Sequence, residues 1–227
     1  MTHPHWENPE TLAFGRLPAA AHFHRFASLD QSLAGKSSRD KTLNKGWRFH
    51  RIERPDDAPK HWQALDFNDD HFKPVTLPAL WTMDPDSKDK PIYTNVRMPF
   101  REEPPKVPAN NPTGLYRLKL KHKNSRMRSI LILEGVENCC YVYCNGTEVG
   151  FSKDSRLPAE FDLTPYLKTG DNLIALMVLR FSDSSYIEDQ DQWWHAGIHR
   201  PIRLSQRPAV NIRDVYAKPT FNVQDGS

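Results

Sequence analysis

Short segments in which large apolar residues alternate with polar ones recur along this chain of 227 residues, and they decide which class of fold it can adopt. The alternation is clearest in WRFHRI, which begins at Trp47, and in GLYRLKLKH, which begins at Gly114. Side chains two apart lie on one face of a strand, so both segments predict half-buried β-strands. Nineteen prolines interrupt the chain and disfavour a helical bundle. We expect about eight or nine short strands and no helix longer than about two turns.

One hairpin and one central strand stand out within this pattern. The runs NCCYVYC and TEVGFS flank Asn145-Gly146. An Asn-Gly pair between β-rich runs favours a tight type I′ turn, because both of its positions need a positive φ. The run NLIALMVLRF, which begins at Asn172, is apolar at nearly every position, as is typical of a strand buried on both faces. The predicted fold class is therefore all-β, a jelly-roll-type antiparallel β-sandwich.

The two ends of the chain differ from its middle. Residues 1–45 show no sustained period but are rich in aromatic side chains, so they predict an extended N-terminal arm that becomes ordered by lying on another surface. The aromatic residues of this arm are Trp6, Phe14, Phe23 and Phe26. The β-sandwich is placed at residues 46–208, and NIRDVYAKPTF, which begins at Asn211, predicts an exit strand.

Charge and apolar content narrow the possible classes of function. The formal net charge of +3 is too small to indicate a nucleic-acid binder or a membrane-surface protein. The N-terminus, MTHPHWENPE, has no apolar signal-peptide core, and no apolar run is long enough to span a bilayer. We therefore expect a cytoplasmic protein with no nucleic-acid or membrane partner.

Three cysteines lie close together, at Cys139, Cys140 and Cys144. An odd number would leave one thiol unpaired in an oxidising compartment, which also favours the cytoplasm. The strand alternation places Cys140 and Cys144 on one face and Cys139 on the other, whereas a zinc site needs four converging ligands. Buried, reduced cysteines are therefore expected in preference to a metal site.

The stretch SDSSYIEDQDQWWHAGI carries the strongest chemical signal. Its acidic and aromatic residues are Glu188, Asp189, Asp191, Trp193, Trp194 and His195. Sugar sites combine carboxylates, which accept hydrogen bonds from hydroxyls, with aromatic rings that face C–H groups, and carboxylates also suit a hard cation. The alternative is a solvated acidic loop whose aromatic residues dock on the core. The spacing of the acids in this loop does not indicate the carboxylate pair of a glycosidase. The same holds for Glu102 and Glu103, which lie beside prolines.

Several motifs, taken in order, resemble the large bacterial β-galactosidases of glycoside hydrolase family 2. They are WENP (Trp6–Pro9), LN-GWRF (Leu43–Phe49), PIYTNV (Pro91–Val96), NPTG-Y (Asn111–Tyr116), CNG (Cys144–Gly146), DSRLPAEFDL (Asp154–Leu163), MVLRFSD-SY (Met177–Tyr186) and EDQDQW (Glu188–Trp193). The resemblance runs from Trp6 to about Phe221. At Trp194 and His195 the chain is more aromatic than the family pattern.

The resemblance implies a jelly-roll domain whose N-terminal arm helps to assemble a homo-oligomer. In that family an immunoglobulin-like domain follows, and residues 209–227 would be its start here. A TIM barrel comes next and holds the acid/base and nucleophile glutamates. The motifs of that barrel are not found in this sequence, so the chain resembles a fragment, contains no predicted catalytic residue and is expected to be inactive alone.

The same resemblance implies two substrate-binding residues. The Asn of the YTNV motif is Asn95, which in the family contacts the galactosyl unit. The last Asp of the EDQD motif is Asp191, which in the family contacts both substrate and a sodium ion. An amide can donate to and accept from hydroxyls, and a carboxylate can bridge sugar and cation. The other sodium ligands and the magnesium ligands belong to the barrel, so neither metal is expected to bind this chain tightly by itself.

The sequence thus predicts the N-terminal substrate-site and assembly domain of an enzyme that hydrolyses terminal β-D-galactosides, lactose among them, with retention. Its expected partners are the β-galactoside substrate and a catalytic barrel domain or chain. One alternative is a stand-alone carbohydrate-binding module, which would bind galactose unaided. The other is a complementation subunit that docks on a separately encoded catalytic chain through its aromatic arm.

Overall fold

The structure is a computed structural model that describes residues 4–94, 96–123 and 125–226. Its strands are β1 (Ala13–Phe14), β2 (Asp40–Thr42), β3 (Trp47–Ile52), β4 (Lys73–Val75), β5 (Ala79–Leu80), β6 (Ile92–Tyr93), β7 (Thr113–His122), β8 (Arg128–Leu133), β9 (Val136–Glu137), β10 (Cys139–Cys144), β11 (Thr147–Lys153), β12 (Ala159–Asp162), β13 (Gly170–Leu179), β14 (Trp193–Trp194), β15 (Gly197–Ile198) and β16 (Ile202–Arg207). The described residues also form the helix α1 (Leu29–Leu33) and 3-10 turns at His5–Glu7, Pro55–Asp57, Trp81–Met83 and Asp183–Tyr186. No helix in these ranges is long and apolar enough to cross a bilayer.

Two antiparallel sheets share one buried core and form the sandwich. The larger sheet has the strand order β1-β11-β10-β13-β7-β3-β4, and the smaller has the order β12-β8-β16-β2. The shared core includes Trp47 and Leu176 from the larger sheet and Leu131 and Phe161 from the smaller one. The predicted all-β antiparallel sandwich is therefore confirmed, whereas its assignment as a jelly roll stays a prediction.

Strand β13 is buried on both faces, as its continuous apolar run predicts. Leu176 belongs to the core that the two sheets share, whereas Leu173 belongs to a second buried cluster on the opposite face of the larger sheet. A loop that carries Trp62 and Phe72 covers this second face. Because both sides of the sheet are covered, the strand needs apolar residues at every position and not at alternate ones.

Strands β10 and β11 form the predicted hairpin. Asn145 and Gly146 at its turn have φ angles of +52° and +86°, which a type I′ turn requires. Cys140 and Cys144 face the core between the sheets, and Cys139 faces the second cluster. All three thiols are free and buried, and burial raises the pKa of Cys144 to about 12. These are structural core residues, as expected.

The N-terminal arm lies on the chain's own sandwich. Its strand β1 pairs with β11, with Phe14 opposite Phe151, and the two rings stack at 5.9 Å. Trp6 packs against the same buried cluster. Farther along, β2 pairs with β16 in the smaller sheet. The arm thus supplies edge strands to both sheets, which the sequence pattern did not indicate.

Two predicted strands differ from the structure. Strand geometry in IYTNVRMPF is limited to β6, because β6 pairs only with the equally short β14 among the described residues. The prediction of an exit strand in NIRDVYAKPTF is wrong: the described residues from 208 onward form no strand. Ile212 and Phe221 there are 69% and 72% exposed, and without a partner strand their backbone cannot form a ladder.

The described residues also form more strands than the eight or nine expected from the sequence. Several of the additional strands have only two residues, and strands this short leave no periodic signal.

Candidate functional site

Two short sheets fasten the acidic loop to the sandwich. Strand β15 pairs with both β5 and β9, and places Gly197 opposite Leu80 and Glu137. Gly197 has a φ of +134°, and a Cβ at this position would lie 2.6 Å from the Ala79 carbonyl oxygen. Only glycine permits this close approach of the strands. The loop therefore leaves the sheet at a fixed position.

Strands β6 and β14 form a partly exposed rim, which we define as residues 92–94 and 191–194. Tyr93 lies opposite Trp193 in the ladder, and their ring centroids are 5.5 Å apart. The two side chains are 52% and 55% exposed. Large aromatic side chains that stay half exposed on a short ladder can offer their faces to a ligand.

The Tyr93 hydroxyl donates a hydrogen bond of 2.5 Å to Oδ1 of Asp191. This bond and the negative charge of Asp191 raise the pKa of Tyr93. This contact joins two segments, one that runs into Asn95 and the loop that carries Asp191. Asn95 and Asp191 are the two residues predicted to bind substrate. Asn95 itself lies outside the described residues, so its predicted contact with a sugar stays a prediction.

Glu188 turns inward, away from the rim. Its carboxylate accepts hydrogen bonds from the backbone N–H of Ser155 at 3.0 Å, from the Ser155 hydroxyl at 2.5 Å and from Asn138 Nδ2 at 3.0 Å. Burial raises the pKa of Glu188, and the bonds from Ser155 oppose that rise. Two of the three acids that the sequence groups together therefore have different environments: Glu188 anchors the loop, whereas Asp191 is exposed at its outer end.

Trp194 and His195, where the chain departs from the family pattern, tie the loop to the core. The Trp194 ring lies 6.4 Å from that of Phe181. His195 Nδ1 lies 3.1 Å from the Thr82 hydroxyl, and burial lowers the pKa of His195. For these two residues the docking alternative describes the structure better than a role as sugar ligands.

Two residues that shape the site have no role in the prediction from sequence: Tyr93 in the rim and Arg180 beneath it. Tyr93 belongs to the PIYTNV motif, in which the family resemblance implies a role only for Asn95. Arg180 is buried, pairs with Asp89, and donates to the carbonyl oxygens of Lys90 at 3.1 Å and Trp194 at 3.4 Å. Its signal in the sequence was a single arginine that directly follows the apolar run of β13.

The cavity beneath the rim is small. It measures about 10 Å³ and is lined by residues that include Arg180, Glu188 and Trp193. That volume has room for about one water molecule. A much larger cavity of about 530 Å³ opens elsewhere, against apolar side chains that include Phe49 and Met83, and shares no lining residue with the small one. The rim by itself does not enclose a sugar.

The donor chemistry of Asp191 suits a hard cation, because carboxylate oxygens are the ligands that such ions prefer. Among the described residues, however, no three His, Cys, Asp or Glu side chains lie close enough together to hold a metal ion. Asp191 therefore supplies one possible ligand and not a complete site.

The family model described as the sugar-binding domain of the family 2 glycosyl hydrolases matches residues 41–208. The chain belongs to glycoside hydrolase family 2. The resemblance seen in the sequence motifs is thereby confirmed. The matched region of this family 2 domain contains the rim, Asp191 and all of the sandwich strands except β1 and the first residue of β2.

Curated relatives of this family 2 domain are bacterial β-galactosidases. The protein from Psychromonas ingrahamii is 43% identical over 213 residues, which cover 92% of this chain and 20% of the relative. The protein from Photobacterium profundum is 39% identical over 226 residues, which cover 98% of this chain and 22% of the relative. The chain thus spans about a fifth of the length of these relatives.

Solved structures support the fold. A β-glucuronidase from an uncultured Clostridium species matches 84% of this family 2 domain and 33% of its own chain, with a TM-score of 0.59 and 21% identity. A Bacteroides uniformis β-glucuronidase matches 75% of this domain and 18% of its own chain, with a TM-score of 0.58 and 22% identity. At these identities the likeness concerns the architecture alone.

Proposed function

We propose that this chain forms one wall of the β-galactoside site of a larger retaining β-galactosidase and has no hydrolytic activity alone. The observation that supports this most directly is the contact between Tyr93 and Asp191. It brings an exposed carboxylate and the exposed Tyr93–Trp193 ring pair together at one rim. Both types of group recognise sugars, since carboxylates accept from hydroxyls and ring faces cover C–H groups.

The role proposed for the rim is positioning. Tyr93 donates to one carboxylate oxygen of Asp191, which leaves the other oxygen to accept from a sugar hydroxyl. The amide of Asn95 would donate to and accept from further hydroxyls. Holding the galactosyl unit in the reactive orientation lowers the entropic part of the barrier. The two carboxyl groups that perform the double displacement would come from a catalytic barrel outside this chain.

The proposal includes two ions, oligomerisation and location. Asp191 would contribute one oxygen ligand to a sodium ion whose other ligands come from the barrel. The ligands of a magnesium ion would come from the barrel and not from this chain. The complete enzyme would be a homo-oligomer, as the family resemblance implies. A cytoplasmic location is supported by the three free, buried thiols.

A chimaeric enzyme tests this function. This chain would replace the matching region of the Psychromonas ingrahamii β-galactosidase within one polypeptide. We expect the chimaera to hydrolyse a nitrophenyl β-galactoside, and this chain and the truncated relative each to be inactive alone. Asp191→Asn should lower kcat/KM of the chimaera about tenfold or more, because a charged acceptor is lost.

Asp171→Asn is the matched control in this assay. Asp171 is exposed near the start of β13, and a strand of this length separates it from Arg180 by about 30 Å. We expect this variant to leave kcat/KM unchanged. Turnover by the pure, active-site-titrated chain, or an equal loss of activity in both variants, would refute the proposal.

The structure disfavours the two alternatives. Unaided binding of a sugar at the rim is disfavoured because the cavity there is about 10 Å³, far below the several hundred Å³ of a typical small-molecule site. A docking subunit with a free aromatic arm is disfavoured because Trp6 and Phe14 already pack on Tyr141 of the same chain.

A further inference from the structure

We propose that Arg180 is the positioning residue that holds the two segments of the rim together and thereby fixes Asp191 in place. Arg180 is buried beneath the rim, where it lines the small cavity together with Trp193. The inference rests on the proposed function only in taking Asp191 as a sugar contact.

The rim needs a support that its own ladder does not provide. Strands β6 and β14 contain two residues each, and Tyr93 and Trp193 at their ends are half exposed. Two-stranded ladders are at best marginally stable in water even when they are much longer than this. The position of Asp191 relative to Tyr93 therefore depends on contacts beneath the ladder.

Arg180 provides those contacts to both segments. Its guanidinium pairs with the Asp89 carboxylate and donates to the Lys90 carbonyl oxygen at 3.1 Å, just before β6. The same Nη2 donates to the Trp194 carbonyl oxygen at 3.4 Å, within β14. One rigid, planar group thus bridges two segments that lie about a hundred residues apart in the chain.

The bridge is itself anchored in the core. Asp89 accepts a hydrogen bond of 2.7 Å from the indole N–H of Trp81, a residue of the core between the sheets. The side chains of Arg180 and Asp89 are only 2% and 10% exposed. Buried charges of this kind are expensive to separate, so the carbonyl contacts of Arg180 are held in one geometry.

The substitution that tests the idea is Arg180→Lys. A lysine keeps the positive charge opposite Asp89, but its single nitrogen would have to replace both Nη1, which pairs with Asp89, and Nη2, which donates to the two carbonyl oxygens. The readout is the nuclear Overhauser effect between the ring protons of Tyr93 and Trp193, whose ring centroids lie 5.5 Å apart across the rim. Its intensity is measured relative to that between Tyr141 and Phe151, two buried rings whose centroids are 4.5 Å apart.

We expect Arg180→Lys to lower this relative intensity at least twofold. Arg117→Lys is the matched control, because Arg117 is also a buried arginine, pairs with Asp69 at 2.8 Å and donates to backbone carbonyls, that of Ala64 at 3.0 Å among them. It should destabilise the chain to a similar extent and leave the relative intensity unchanged. An unchanged intensity in folded Arg180→Lys, or equal changes in both variants, overturns the proposal.

A second measurement covers the case in which Arg180→Lys does not fold. In the unaltered chain, a guanidinium held on both sides should show separate, slowly rotating Nη resonances for Arg180 in nitrogen NMR spectra. One averaged signal for Arg180 would contradict the bridge. Neither measurement contains a sugar, so a failure here is distinguishable from a failure of the proposed function.

Discussion

Single residues in the acidic loop take roles that their spacing does not reveal. Glu188 and Asp191 are three positions apart, yet Glu188 is held by Ser155 and Asn138 inside the protein, whereas Asp191 meets Tyr93 at the rim. The difference arises because the loop passes from the core to the surface between these positions. A cluster of acids in a sequence therefore does not establish a common function for its members.

Glu188 gives the fold a pH dependence that can be measured. Burial raises its pKa, so the folded state favours the protonated carboxyl more than the unfolded state does. Its contribution to stability is full below the ordinary pKa of a glutamate and is lost as the pH rises through the raised value. Compared with Glu188→Gln, which cannot titrate, the unaltered chain should lose stability over that interval.

Urea unfolding of the two proteins at a series of pH values checks this prediction. The quantity to follow is the difference in their free energies of unfolding, because pH effects from other groups cancel in it. A difference that stays constant, or that favours the unaltered chain as the pH rises, would contradict the assignment.

Among the elements, β13 is the strand around which the sandwich is organised. It pairs with β10 on one side and β7 on the other, and its residues enter both apolar clusters. It also leads directly into Arg180. The same strand thus supports the core and delivers the residue that we propose to hold the rim.

Leu176→Ala should show how much this strand contributes to stability. Leu176 is fully buried, and truncating such a side chain removes its transfer free energy and leaves a cavity, at a cost of about 2–5 kcal/mol. Leu33→Ala, at a position 79% exposed on α1, should change stability by less than about 0.5 kcal/mol. Denaturant titration measures both values, and equal costs would show that the core is placed wrongly.

The arm docks through a glycine whose surroundings leave no room for a side chain. Gly15 has a φ of +64°, and a Cβ there would lie 2.1 Å from the Val149 carbonyl oxygen. Gly15→Ala should therefore separate β1 from β11. Hydrogen exchange at the amides of β1 and β11 is expected to accelerate, with a loss of about 1–3 kcal/mol beyond the cost of the positive φ.

Gly35→Ala separates the steric effect from the backbone effect. Gly35 has nearly the same φ, +63°, but nothing lies within 4 Å of its Cβ position. Its substitution should cost only the left-handed strain, about 1–2 kcal/mol, and leave the exchange of β11 unchanged. If both variants behave alike, the contact with Val149 does not hold the arm.

The whole molecule combines a deeply buried core with an open rim. Its central strands are deeply buried, whereas the rim encloses a cavity of only about 10 Å³. Two or three polar contacts on an open surface rarely outweigh the entropy lost on association. A folded domain of this kind can shape a site without binding the ligand tightly alone.

Calorimetry of the isolated chain tests that view. Titration with galactose at millimolar concentrations should give no saturable heat, because the rim lacks the enclosure that typical sugar-sized pockets provide. Saturable binding that disappears in Asp191→Asn would favour the stand-alone module. Binding that persists in this variant would place a sugar site elsewhere on the chain.

The class of fold, the hairpin at Asn145-Gly146, the two-sided burial of β13 and the family could all be predicted from the sequence, because period, turn chemistry and motif order are local properties. The roles of the loops depend on the tertiary structure. It brought Tyr93 to Asp191, placed Arg180 beneath both rim segments and laid the arm on the sandwich. These contacts join residues far apart in the chain, and their partners are chosen by strand order and packing, which no local pattern encodes.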